Sequence, residues 1–172
     1  MKVFFENQFI RTKDYYKEYY RGIYIKKPII LIFNIILSIS FITNLVLMVF
    51  PKLGTQDSNT SLVNIATILI ILCIQIYVYI SNVNLEYNRE LEKNKGNLSE
   101  IRALITEDSI NVSTNLENNV NIEFKNIEKV IKTKNYYILL TKAKLGIAIK
   151  KDGFVKGTAK EFEKFLTENK FM

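Results

Sequence analysis

The side chains in this chain that could do chemistry are carboxylates, tyrosines and lysines, because histidine does not occur and the one cysteine is Cys73. A zinc site built on Cys and His, a Cys–His pair and a Ser–His–Asp triad therefore cannot be assembled from it. Two carboxylate pairs, Glu107 with Asp108 and Glu161 with Glu163, fall in a predicted turn and on a predicted exposed helix. Such positions are typical of solvated charges rather than an acid–base pair. The glycines are scattered, so no phosphate loop is predicted. We expect neither enzymatic activity nor a cofactor or metal site.

A cationic stripe on one predicted helix is the candidate binding feature. Thr12 stands in an N-cap position and Asp14 in the first turn, which predicts a helix running toward Tyr24. At about 100° per residue, four tyrosines and an isoleucine fall on one face and the charged side chains fall on the other. The candidate contacts with anionic lipid headgroups are Lys13, Lys17 and Arg21.

Two interpretations of this helix remain open at the level of sequence. In the first, the helix lies in the membrane interface, with its tyrosines at the boundary and its cations toward lipid phosphate. In the second, the helix packs on a soluble domain that buries the tyrosines. The preceding residues, 2–9, alternate loosely between apolar and polar types and predict a short strand. Residues 1–27 are thus expected to form a strand and an amphipathic juxtamembrane helix.

Two uncharged, isoleucine-rich stretches follow, at residues 28–50 and 58–81. Because a transmembrane helix needs about 20 mainly apolar residues, each can span a bilayer. We predict transmembrane helices at 28–50 and 62–81, joined by a short external loop at 51–61. The first stretch is too long for the apolar region of a secretory signal, and no small-residue cleavage site follows Phe50. It is therefore expected to be a retained anchor.

The placement of Lys and Arg predicts the orientation of this hairpin. Seven cations precede the first stretch, only Lys52 lies between the two, and Arg89, Lys93 and Lys95 follow the second. Short cytoplasmic segments accumulate Lys and Arg, so both termini are predicted to be cytoplasmic in a multi-pass protein of the cell membrane. The same topology accounts for the formal net charge of +7. Nucleic acid is therefore not an expected partner.

Polar residues inside the stretches predict how the two helices pack. An antiparallel hairpin would place Asn34 near the depth of Gln75, and Asn44 near that of Asn64. Amide pairs of this kind act as packing contacts between transmembrane helices. Since neither stretch contains Asp, Glu, Lys or Arg, a proton relay or pump is disfavoured.

The remainder of the chain predicts a helical linker and a small domain. The second helix has no breaker until Gly96, so residues 82–96 are predicted to continue it. Short strands with turns between them are predicted at 100–106, 110–113, 120–124, 130–134, 136–142 and 147–150. Thr158 and Glu161 form a capping box before a closing helix whose apolar face carries Phe162, Phe165 and Leu166. Residues 97–172 are thus an antiparallel sheet domain covered by a C-terminal helix.

This order of elements resembles the YcxB-like family of bacterial membrane proteins. The resemblance is most specific over residues 124–154, where Lys129-Val130, Lys134-Asn135-Tyr136 and Ile138-Leu139-Leu140 follow the family pattern. Phe124 stands where the family usually has tryptophan, and Lys150 where it usually has proline; both positions are structural. The resemblance implies a small pleckstrin-homology-like (PH-like) barrel at 97–172 and no established reaction.

Together these observations predict an α+β membrane protein: a two-helix transmembrane hairpin carrying a small antiparallel PH-like barrel or sheet capped by a C-terminal helix. The expected function is a non-catalytic binding or regulatory module tethered to the cytoplasmic leaflet. Its expected partners are the lipid bilayer, anionic headgroups and a membrane protein. An alternative is an immunity protein that protects the cell against a membrane-active bacteriocin. The lysines between residues 125 and 151 are interpreted as solvated surface, because acidic residues are interspersed among them.

Overall fold

The computed structural model describes residues 2–25, 28–50, 58–115, 119–169 and 171. The chain forms two compact units: Tyr24–Asn82 is one, and Met1–Ile23 together with Val83–Met172 is the other. We call them the helical unit and the sheet unit. The fold is α+β with antiparallel sheets, as predicted. The predicted division left residues 1–27 and 82–96 outside the C-terminal domain, whereas the structure groups most of both segments with it.

The helical unit contains α2 (Pro28–Val49) and the first part of α3 (Ser58–Lys93). Both helices are long and apolar enough to cross a membrane. The Asn64 side-chain amide donates to Asn44 Oδ1 at 3.0 Å, which confirms the predicted pair. The predicted bond between Asn34 and Gln75 does not form, since Asn34 Oδ1 is buried without a hydrogen-bond partner among the described residues. Most of the predicted external loop, residues 51–57, lies outside the described residues.

The end of α3 confirms the predicted stop at Gly96. The Gly96 N–H donates to Leu91 O at 2.7 Å and the Lys95 N–H to Glu92 O at 3.2 Å. These two bonds form a Schellman motif, which satisfies carbonyls that the helix end would leave free. The motif needs left-handed backbone, and Lys95 and Gly96 have φ of 52° and 86°.

The sheet unit contains a five-stranded sheet into which the N-terminal strand inserts. The sheet has the order β4-β3-β2-β1-β8. Its strands are β1 (Phe5–Ile10), β2 (Glu100–Ile105), β3 (Ser109–Thr114), β4 (Asn119–Glu123) and β8 (Phe154–Lys156). β1 pairs antiparallel with β2, with Phe5 opposite Ile105 and Ile10 opposite Glu100. The early strand is thus confirmed, and it lies inside the sheet of the C-terminal domain. β8 was not predicted, because three residues carry too little pattern.

A second sheet has the order β5-β6-β7. Its strands are β5 (Ile127–Lys132), β6 (Tyr136–Thr141) and β7 (Gly146–Lys150), and a 3₁₀ turn at Phe124–Asn126 precedes them. The strand predicted at 130–134 therefore begins and ends earlier, so its boundaries were wrong. Every residue of β6 is buried. A continuous apolar run of this kind is typical of a strand that is covered on both faces.

Helix α4 (Ala159–Glu168) covers the inner side of both sheets. Thr158 caps it as predicted: its Oγ1 accepts from the Glu161 N–H at 3.2 Å. Phe162 and Leu166 are fully buried in the core, whereas Phe165 is only partly buried. The predicted apolar face is confirmed, and Phe162 and Leu166 are its most deeply buried residues.

Asn7 joins the two sheets. Its Nδ2 donates to Lys150 O at 2.7 Å, and its Oδ1 accepts from the Lys150 N–H at 3.0 Å. The side-chain amide therefore acts toward β7 as a neighbouring peptide group would. Asn7 is completely buried, whereas its partner Lys150 is only partly buried.

Candidate functional site

Helix α1 (Lys13–Ile25) packs on the outer face of the second sheet. A Cβ atom on Gly22 would lie 3.0 Å from Ile138 Cδ1 and 3.1 Å from Thr133 Cγ2, so glycine allows the helix to approach closely. The Glu18 carboxylate accepts from the backbone N–H and the side-chain amide of Asn135, at 2.6 and 2.9 Å. These contacts fix α1 to the turn between β5 and β6.

The tyrosine face of α1 is buried in the sheet unit. Tyr15 and Tyr16 are 5% and 7% exposed. The Tyr15 ring packs against Phe9 at 5.7 Å and Tyr136 at 5.5 Å between centroids. Of the two interpretations of this helix, the structure supports the one in which these tyrosines pack on the soluble domain.

The cationic stripe lies on the opposite, exposed side of the same helix. Lys13, Lys17 and Arg21 are all exposed. Lys17 forms an ion pair with Asp14 at 2.8 Å, and this hydrogen bond lowers the pKa of the Asp14 carboxyl. Headgroup contact by these three side chains stays a prediction.

A cavity of about 410 Å³ lies between α1 and the part of α3 that belongs to the sheet unit. We call it the tyrosine cavity. Its α1 wall consists of Tyr15, Tyr16, Tyr19 and Tyr20. Its charged lining consists of Arg11, Glu86, Arg89, Glu90 and Lys93. The volume is within the range of about 300–1,000 Å³ that small-molecule sites occupy.

Four charged residues of α3 line the cavity; they alternate in sign and lie on one side of that helix, because they are spaced by three, one and three residues. Glu86 pairs with Arg89 at 3.0 Å, and both side chains are exposed. Glu90 pairs with Arg11 at 3.2 Å, and here the two side chains are only 14% and 31% exposed. The cavity thus has an exposed ion pair and a more deeply placed one.

The buried pair leaves two polar atoms free. Arg11 Nε and Glu90 Oε1 are buried and have no hydrogen-bond partner among the described residues. The Arg11 guanidinium also lies over the Tyr15 ring at 5.7 Å. The Arg11 backbone N–H is held by Ser99 O at 2.9 Å, which anchors the segment between β1 and α1. The pair therefore leaves one donor and one acceptor unsatisfied within the packing.

Tyr15 and Tyr19 remain neutral phenols at physiological pH. Burial raises the pKa of Tyr15 and of Tyr19 above the ordinary value of 10.0. A Cβ atom on Gly146 would overlap the Tyr19 hydroxyl, so β7 needs glycine at this position. The ring faces and hydroxyl groups of this wall are thus held in place by the packing.

This cavity was not predicted from the sequence. Arg11 is one of the seven cations that predict the orientation of the hairpin, and residues 82–96 are predicted only as a linker helix. The spacing of charges on α3 was visible, but it indicates an exposed helix as readily as one wall of a cavity. Elsewhere, the interpretation of the later lysines as solvated surface agrees with two surface ion pairs, Lys144 with Glu128 at 2.7 Å and Lys150 with Asp152 at 3.1 Å. It does not hold for Lys151, whose ammonium is partly buried and donates to the carbonyls of Thr133 and Lys134.

Fold and site define an α+β protein that joins a two-sheet domain to two helices of membrane-spanning length. The family model described as YcxB-like protein matches residues 105–166, which run from the end of β2 to the buried Leu166. The match confirms, over this segment, the resemblance to the YcxB-like family that is seen in the sequence. Searches of the curated proteins and of the solved structures found no significant match.

Proposed function

We propose that this chain is a membrane protein in which α2 and α3 cross the bilayer as a hairpin and the sheet unit acts as a tethered, non-catalytic binding or regulatory module. The observation that carries this proposal is the exposure of both helices. The consecutive residues Leu31, Ile32 and Phe33 are 53%, 55% and 42% exposed. Because consecutive residues are about 100° apart, apolar surface is exposed all around α2.

Helix α3 supports the same conclusion. Ile76, Tyr77 and Val78 are 60%, 72% and 45% exposed. Only 11% of the apolar window of α2, and 6% of that of α3, is buried within the chain. A core helix of a water-soluble protein would bury most of such a window. Lipid is the solvent that suits helices apolar on every face, with the Asn44–Asn64 hydrogen bond satisfied inside the hairpin.

The sheet unit supports a PH-like barrel. Two antiparallel sheets are joined through Asn7 and covered by α4. We propose that this unit faces the cytoplasm, because Lys and Arg flank the hairpin on its terminal side. A hairpin confines the unit near the leaflet and raises its effective concentration for headgroups or a membrane-bound partner.

Insertion and orientation can be tested together in cells. The protein should stay in the membrane fraction after alkaline carbonate extraction. In a Cys73→Ser background, Lys52→Cys should react with a membrane-impermeant maleimide in intact cells, and Lys164→Cys only after permeabilisation. Release by carbonate would contradict the hairpin, whereas the reverse labelling pattern would contradict only the orientation.

Headgroup contact can be tested by native mass spectrometry of the full-length protein in detergent. We expect more bound phosphatidylglycerol than phosphatidylcholine, and a loss of that preference when Lys13, Lys17 and Arg21 are all changed to Gln. Exposed cations attract anionic lipid, and salt screens the attraction. The matched control changes Lys129, Lys142 and Lys160, which are also exposed, to Gln. An equal effect of both sets would remove the stripe from the proposal.

A further inference from the structure

We propose that residues 2–23 complete the sheet unit only when the helical unit crosses the membrane an even number of times. We call these residues the N-terminal latch. The latch and Val83–Met172 belong to one compact unit, although Tyr24–Asn82 separates them in the chain. The inference rests on the proposed function, because it needs α2 and α3 to span the bilayer. It adds a conformational device that makes folding of the sheet unit depend on correct insertion.

The strand of the latch, β1, is a central strand. It lies between β2 and β8 in the five-stranded sheet. All six of its residues pair with β2, and Glu6 and Asn7 also pair with β8. Among the described residues, β8 has no other strand partner. A sheet without the latch would therefore lose β8 and present the edge of β2, and such an edge is prone to pair with other chains.

The latch also fills the core of the sheet unit. Phe5 and Phe9 are only 8% and 6% exposed. The Phe5 ring packs against Phe154 at 6.2 Å and Phe162 at 5.4 Å between centroids. A Cβ atom on Gly157 would lie 2.5 Å from the same ring, so the surrounding residues fit it closely. Loss of one buried phenylalanine can remove much of the stability of a small domain, and the latch contributes two.

The second sheet depends on the latch as well. The Asn7 side chain bonds both the N–H and the carbonyl of Lys150 on β7. The Tyr15 ring packs on Tyr136 of β6 at 5.5 Å, and Glu18 accepts two hydrogen bonds from Asn135. The latch thus connects both sheets, and the part of the unit that follows the helical unit is incomplete without it.

The latch can pair with β2 and β8 only from the side of the membrane on which those strands lie. Two spans return the chain to its starting side. One span would leave the latch and the rest of the unit on opposite sides, whichever way the chain is oriented. The latch carries the cations Lys2, Arg11, Lys13, Lys17 and Arg21, and charged side chains cross hydrocarbon at high cost. The pairing of β1 therefore requires both ends of the helical unit to emerge on the same side, independently of any count of charges.

A disulfide between β1 and β2 would report whether the latch is closed. Gln8 and Arg102 lie opposite each other in these strands, and both are exposed. The Cα atoms of opposed residues in antiparallel strands are about 4.5–5.5 Å apart, within the range that a disulfide spans. In a Cys73→Ser background, the full-length protein with Gln8→Cys and Arg102→Cys should form this bond within one molecule when isolated membranes are treated with a mild oxidant.

Two variants of the same chain length test the dependence on the number of spans. In the first, a Gly/Ser sequence replaces residues 28–50, which leaves one span. In the second, a Leu/Ala helix replaces the same residues, which keeps two spans but none of the native α2 sequence. We expect the crosslinked fraction to fall about tenfold or more in the first variant, because an open unit loses more than its marginal stability. The second variant should crosslink as the parent does.

Solubilising the one-span variant in mild detergent removes the barrier between the two sides, so its crosslink should return. No return would assign the loss to the missing helix itself and overturn the proposal. Loss of the crosslink in the Leu/Ala variant, or its absence from the parent, would also overturn it. A crosslink in membranes of a one-span variant that resists carbonate extraction would overturn the latch and leave the proposed membrane function intact. Release of the parent by carbonate would instead contradict the proposed function, on which the latch rests.

Discussion

Replacing Asn7 with alanine should weaken the connection between the two sheets and lower the stability of the sheet unit. The change removes two hydrogen bonds, of 2.7 and 3.0 Å; it leaves the Lys150 N–H without a partner, whereas the Lys150 carbonyl still accepts from the Gly153 N–H at 3.2 Å. An unsatisfied buried polar group costs about 1–3 kcal/mol and the loss of the second hydrogen bond about 1 kcal/mol, so the change should cost about 2–4 kcal/mol. Backbone groups at the rim of the sheet can recover part of this from water, which favours the lower half of that range.

The matched control is the neighbouring residue. Gln8 points to the other face of β1, is exposed, and donates a hydrogen bond to Glu100 at 2.5 Å. Loss of an exposed bond should cost less than about 1 kcal/mol. Gln8→Ala therefore changes the same strand by a side chain of similar size. It differs from Asn7→Ala in that Gln8 is exposed and bonds within its own sheet.

Thermal unfolding of the full-length protein in detergent, followed by the near-ultraviolet circular dichroism of its tyrosines, would measure the difference. For a domain of this size, about 1 kcal/mol corresponds to roughly 4 °C in Tm. Asn7→Ala should lower Tm by about 8–15 °C, and Gln8→Ala by no more than about 4 °C. If the two variants melted together, the Asn7 amide would not be what holds the sheets, and the account of how they join would be refuted.

Three further predictions concern the core, the turns and pH. Phe162→Ala should lower the free energy of unfolding by about 3–5 kcal/mol because the ring is fully buried, and Phe165→Ala should lower it clearly less. Equal losses in urea unfolding would contradict the placement of Phe162 at the centre of the core. Gly157→Ala should destabilise the protein more than Gly96→Ala. Both glycines have positive φ, but only at Gly157 would the added Cβ meet a neighbour, the Phe5 ring at 2.5 Å. A smaller loss of Tm for Gly157→Ala would refute this. The hydrogen bond that the Lys132 ammonium donates to the Glu163 carboxylate lowers the pKa of Glu163, and the hydrogen bond from the Tyr137 hydroxyl lowers it further. A lowered folded pKa means that the contribution to stability is present above the unfolded value of about 4.3 and is lost as pH falls through the folded pKa. Glu163→Gln should therefore melt lower than the parent at pH 7, and the difference should shrink as pH falls below the unfolded value of about 4.3. A difference that stayed constant as the pH fell would show that the charge is not responsible.

Features that depend on near neighbours in the chain could be predicted from the sequence. Thr158 and Glu161 define their helix start within one turn, and Gly96 indicates the end of α3, although the left-handed residue that directly follows the helix cap is Lys95. The Asn44–Asn64 pair was also predictable, since two antiparallel helices with a short connection have little freedom of register. In each case the interacting residues lie close together in the chain, or in two helices that a short segment connects.

The candidate site could be predicted only in part. The cationic stripe of Lys13, Lys17 and Arg21 follows from helical periodicity, and the structure leaves it exposed. Whether the tyrosines opposite met lipid or protein could not be read from the same periodicity, because both environments favour an amphipathic helix. Contact with β6, more than 100 residues away in the chain, decided the outcome.

The sequence by itself determined two membrane-length apolar helices, the order of short strands, the closing helix and the absence of histidine chemistry. These depend on composition, period and local capping, which act over a few residues. Only the tertiary structure decided that β1 joins the C-terminal sheet, that Asn7 replaces a peptide group toward β7, and that Arg11 meets Glu90 in a tyrosine-lined cavity. Each of these contacts links residues that lie far apart in sequence. Their formation depends on which apolar faces bury one another, and no local pattern specifies that choice.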